Sequence, residues 1–172
     1  MPLSDEQKAW AFATLLPGSV CVASCAALAS DTDLKPWWMK LKRPKWWPFS
    51  KDKEMSVLTA VDMCATVPLI VGTVKLWKHS GGFTSRDSKL ALTSYATAHA
   101  FSLIGVVLST HRCPKSTFIN TTLLFGNSVL LSCLYRRVYK PSGYLALPFA
   151  MLMGFYTFFL FHVMRLNRCE DE

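Results

Sequence analysis

Five stretches of this chain are almost continuously apolar, and its polar residues collect between them instead of alternating within them. The stretches cover roughly 9–30, 55–77, 90–110, 117–135 and 144–164. A bilayer core about 30 Å thick is crossed by about 20 apolar residues of α-helix, so each stretch predicts one crossing. Strands of a membrane barrel would instead alternate apolar and polar over about ten residues. Hydrocarbon offers the backbone no hydrogen-bonding partner, so a continuously apolar crossing has to be helical. The pattern therefore predicts an all-α membrane protein, a bundle of five transmembrane helices forming one domain over 1–172, with a long first connection at 31–54.

Charge sharpens this reading. Only Asp62 and the end-positioned Lys75 fall inside the stretches, although the chain carries 30 Asp, Glu, Lys and Arg residues. The net charge of +8 then belongs to loops at the headgroups, where Lys and Arg snorkel and meet anionic lipid, and nucleic acid is not an expected partner. The first stretch is read as a retained helix. Its leader holds Asp5 and Glu6 against the single base Lys8, and the run exceeds the 7–15 apolar residues typical of a signal peptide. The loops and tail sharing one side of the membrane carry 11 basic residues, Arg168 among them, and the other side carries 8. The positive-inside rule places the first set, and with it the C-terminal tail, in the cytosol. None of the six cysteines, Cys169 in the tail included, has metal-ligand spacing, so no metal and no required cofactor is expected.

All six tryptophans lie at stretch ends or in the first connection, as expected of an interfacial aromatic belt. Four of them, Trp37, Trp38, Trp46 and Trp47, alternate there with Pro36, Pro44, Pro48 and basic residues. Prolines restrict such a loop, and indoles let it lie on lipid or over the mouth of a bundle.

The run Leu41-Lys42-Arg43-Pro44-Lys45-Trp46-Trp47-Pro48 resembles the Leu-x-x-Pro-x-Trp-x-Pro signature in the first loop of the TspO/MBR (translocator protein) family. Trp77-Lys78-His79-Ser80-Gly81-Gly82-Phe83 is similar to that family's Trp-Lys-x-x-Gly-Gly-Phe, and Leu147-Pro148 with Val163-Met164-Arg165-Leu166-Asn167 to the frame of its last helix. The resemblance covers nearly the whole chain. It implies a five-helix bundle that binds a flat hydrophobic ligand, a sterol or a porphyrin (haem included), beneath the first loop and aids its transport. It also implies a homodimer and a mitochondrial outer membrane location. Porphyrin breakdown and a scaffold that has lost its pocket are the alternatives. Departures are clear: the family's third-helix Asn-Trp-x-Trp-Pro is absent, Leu152 and Leu160 replace a tryptophan and an asparagine, and Asp62 stands at a usual tryptophan.

The candidate ligand-binding residues are Pro44, Trp46 and Trp47 in the loop, Asp62, His99 and Asn120 in the middle helices, and Leu152, Phe155 and Phe159 in the last. A carboxylate at the depth of Asp62 should face the bundle, pair or be protonated; His99, Asn120 and Asn127 are its candidate partners, and hydration near the interface is the alternative. His99 could ligate porphyrin iron or serve as a helix–helix contact. Ala91, Ser94, Ala98, Ser102, Gly105 and Ser109 form a small-residue stripe on one helical face, read as a dimer seam or as packing within the chain. A cholesterol-type pattern of low specificity occurs at 131–137, from Leu131 through Tyr135 to Arg137.

Overall fold

The computed structural model describes residues 3–167, without the side chains of 51–53, 55 and 56, so Arg168 and Cys169 of the tail lie outside the described residues. It contains six α-helices: α1 (Asp5–Ser30), α2 (Leu34–Lys40), α3 (Lys51–Ser80), α4 (Arg86–Thr110), α5 (Pro114–Val138) and α6 (Lys140–Leu166). All but α2 are long and apolar enough to cross a membrane. With five crossings, α1 begins and α6 ends on opposite sides.

Local chemistry sets the helix ends. Ser4 and Gln7 form a capping box that opens α1, and Ser85 with Ser88 does the same for α4. Pro114 and Pro141 sit in the first turns of α5 and α6, where a missing N–H costs nothing. Gly81 and Gly82, both with positive φ, end α3. A Cβ on Gly82 would lie 3.0 Å from the Trp77 indole, so the Trp-Lys-x-x-Gly-Gly-Phe run is a helix stop folded onto its own tryptophan.

The bundle is packed unevenly along its axis. In the half remote from the 31–54 connection, Leu69 and Leu76 of α3, Leu92 and Tyr95 of α4, and Leu131 and Tyr135 of α5 are fully buried. Polar atoms there are matched. Pro17 has no N–H to offer the Ala13 carbonyl, and the Tyr95 hydroxyl donates to that carbonyl at 2.6 Å. The Thr73 and Tyr135 hydroxyls bond at 2.7 Å, and Ser142 donates to the Gly72 carbonyl at 2.7 Å. The half nearer the connection is different. Beyond Pro17 no residue of α1 is buried, and 59–64 of α3 are exposed.

The first connection is folded, not loose. Glu54, fully buried, accepts from Arg43 Nε at 3.0 Å and from Trp38 Nε1 at 3.1 Å. The same guanidinium donates to the Trp38 and Leu41 carbonyls and lies over the Trp38 ring. At the other edge Asn167 bonds both the N–H and the carbonyl of Lys42. One charged pair and one asparagine thus fasten the connection to α3 and α6.

Candidate functional site

The loose half of the bundle encloses a cavity of about 620 Å³. All five long helices contribute to its wall, and the Trp38 indole of α2 closes its loop end. The wall is mostly apolar: Val20, Leu58, Ile70, Leu124, Met153 and Leu160 are representative. Gly18, Cys21, Met63 and Val67 line it and are exposed, so the cavity opens sideways where α1 and α3 diverge.

Four of the expected residues, Asp62, His99, Asn120 and Phe159, meet in this cavity. Asn120 donates to the Phe101 carbonyl at 3.0 Å and Asn127 to the Ser94 carbonyl at 3.0 Å, so both asparagines tie α5 to α4 and neither is bonded to Asp62. His99 is 3% exposed, its ring set edge-on to Tyr95, and its Nε2 has no hydrogen-bond partner.

The other five stand elsewhere. Pro44, Trp46, Trp47, Leu152 and Phe155 do not line the cavity. Trp47 stacks on Phe159 at 4.1 Å and on Phe155 at 5.9 Å. Trp46 packs against Phe155, Phe158 and His162. The two indoles therefore clamp the connection to the flank of α6, with Phe159 as the partition between clamp and cavity. Leu152 is core. The roof is Trp38, which the motif reading passed over because Trp38 lies outside the Leu-x-x-Pro-x-Trp-x-Pro run. Its distinguishing signal is a buried acid sixteen residues later, which only the fold brings to its indole.

The small-residue stripe also has a definite location. Ala91, Ser94 and Ala98 are buried within the chain, and the Ser94 hydroxyl donates to Asn127 of α5 at 3.1 Å. Ser102, Gly105 and Ser109 line the cavity. Within one copy the stripe thus faces α5 and the cavity. A Cβ on Gly105 would approach Asn120 Nδ2 to 3.0 Å. Gly105→Leu is therefore expected to lower the unfolding midpoint in detergent through the α4–α5 contact; a change confined to oligomer content, with stability intact, would restore the seam. The 131–137 pattern is likewise turned inward: Leu131 and Tyr135 are fully buried, and the tyrosine hydroxyl is engaged with Thr73.

No curated protein matches the chain. The sequence profile of the TspO/MBR family does, over residues 13–166, from within the first crossing to the end of the last. Five crossings, a folded first connection and a cavity between them agree with that match, and the chain belongs to the TspO/MBR family.

Proposed function

We propose that the protein binds a hydrophobic ligand of the membrane within this cavity and exchanges it with the bilayer through the gap between α1 and α3. Membership of the family supports a ligand-binding or transport role. The observation that carries the reading is the cavity itself, whose volume falls in the range of about 300–1,000 Å³ usual for small-molecule sites and whose wall is apolar with a few convergent polar groups. Sterol and porphyrin are the ligands that the family resemblance brings. Among the described side chains the lining contains no lysine or arginine to meet the carboxylates of a porphyrin, which favours the neutral sterol of the two. For location, the resemblance supports the mitochondrial outer membrane, and the excess of basic residues on the loop side supports a cytosolic tail.

Gly18 supplies the test. It lines the cavity, and a Cβ added there meets nothing within 4 Å, so a large side chain can grow into the empty space without displacing the fold. Gly18→Trp is expected to weaken binding of cholesterol to the purified protein at least about tenfold, equivalent to 1.4 kcal/mol, with helical content unchanged. Equal affinity of the variant and the parent protein for cholesterol, and for protoporphyrin measured in parallel, would remove the cavity from ligand binding.

A further inference from the structure

The charge pattern of the cavity identifies a ligand class that the family resemblance does not supply. Every other described acidic side chain has a cationic partner: Asp5 has Lys8, Glu6 has Lys78, Asp31 and Asp33 share Arg112, Glu54 has Arg43 and Asp87 has Arg137. Asp62 is in none of these pairs, and of the described acidic residues it is the one that lines the cavity. Among the described side chains, no lysine or arginine lines that cavity. One buried polar atom of the lining has no hydrogen-bond partner among the described residues: Nε2 of His99, a residue 97% buried.

Asp62 is exposed toward the opening of the cavity at membrane depth, where a carboxylate with no cation opposite it costs free energy that either a proton or a ligand cation offsets. An anionic ligand would add a like charge. A neutral one would leave the carboxylate as it stands. Resting on the proposal that the cavity is a ligand site, we infer that it is built for a lipophilic amine: a single apolar chain or ring system bearing an ammonium group. The ammonium pairs with Asp62, the apolar body lies along the wall formed by Leu58, Ile70, Leu124 and Met153, and His99 is left to engage a second polar atom deeper in the bundle. Across the opening from Gly18 of α1, the exposed Met63 and Val67 stand on α3 with Asp62, so an amphiphile entering from the bilayer meets the carboxylate at the gap.

The test uses full-length protein in bilayer discs of phosphatidylcholine and three radiolabelled probes of one chain length: hexadecylamine, hexadecanol and hexadecanoate. Specific binding is the fraction lost in Gly18→Trp. The amine should bind at least tenfold more tightly than the alcohol, and the acid most weakly. Asp62→Asn, which keeps the shape of the side chain, should bring amine and alcohol within about twofold of each other; Asp62→Glu should keep the preference. Competition by added phosphatidylethanolamine would identify the amine as a lipid headgroup, and absence of competition would identify it as a free amphiphile; either result keeps the amine site. Amine and alcohol binding equally in the parent protein, or a preference that survives Asp62→Asn, would overturn the inference and leave the cavity as a ligand site. Absence of saturable binding of all three probes and of cholesterol would overturn both.

Discussion

Replacing Glu54 with alanine is expected to destabilise the protein by about 3–5 kcal/mol, the cost of leaving one member of a buried ion pair unmatched. Glu54 is 0% exposed and the Arg43 side chain 8%, so water cannot step in for the lost carboxylate. The guanidinium would keep its bonds to the Trp38 and Leu41 carbonyls but lose its counter-charge, and the Trp38 indole would lose its acceptor. Because Trp38 closes the loop end of the cavity, ligand affinity should fall together with stability. Unfolding of the variant in detergent measures the first effect, and cholesterol binding well below the new midpoint measures the second. Changing both partners to apolar residues, Arg43→Met with Glu54→Leu, should recover much of the stability, since an apolar pair of similar size replaces a buried salt bridge at little cost. It should not recover the position of Trp38, whose N–H would still lack an acceptor. A Glu54→Ala variant as stable as the parent protein would mean that the connection is not fastened by this pair.

Gly143→Ala should lower stability by about 3 kcal/mol, the upper part of the range for overpacking. One residue, Tyr139, separates α5 from α6, and the two helices then run back along each other in close contact. An added Cβ at 143 would lie 2.6 Å from Arg136 Cβ, 2.7 Å from its Cα and 2.8 Å from its backbone nitrogen. Backbone of a helix cannot yield as a side chain can, so α6 would have to move off α5 and pull Ser142 from the Gly72 carbonyl. Gly154 provides the contrast. There the obstructing atoms belong to the Phe125 ring, which can rotate away, and Gly154→Ala should cost well under half as much. Thermal unfolding of the two variants side by side checks both; equal midpoints would show that the α5–α6 approach tolerates a methyl group.

The contrast between these positions marks how far the sequence could be read. Five crossings, their helical form and the opposite placement of the two ends followed from length and apolarity alone, because hydrocarbon leaves the backbone no alternative. Helix ends were partly legible. The Gly81-Gly82 pair was conspicuous, but α6 begins at Lys140, inside what composition marks as a loop, because Pro141 in the first turn has its φ already set for a helix. Residue type and depth singled out Asp62, His99 and Asn120, which line the cavity, but Leu152 and Phe155, read on one face with Phe159, do not line it with Phe159. Residue type could not say which face of each helix turns inward, since in lipid the outer face is as apolar as the inner one and amphipathic contrast disappears. Orientation had to come from packing. Packing turned the small stripe of α4 toward α5 and the cavity, folded Tyr135 onto Thr73 away from lipid, and set Trp46 and Trp47 on the flank of α6 instead of over the cavity mouth. It also brought Arg43 to Glu54, eleven residues on, and so placed Trp38 as the roof: a contact that depends on where two chain segments meet, which no local pattern encodes.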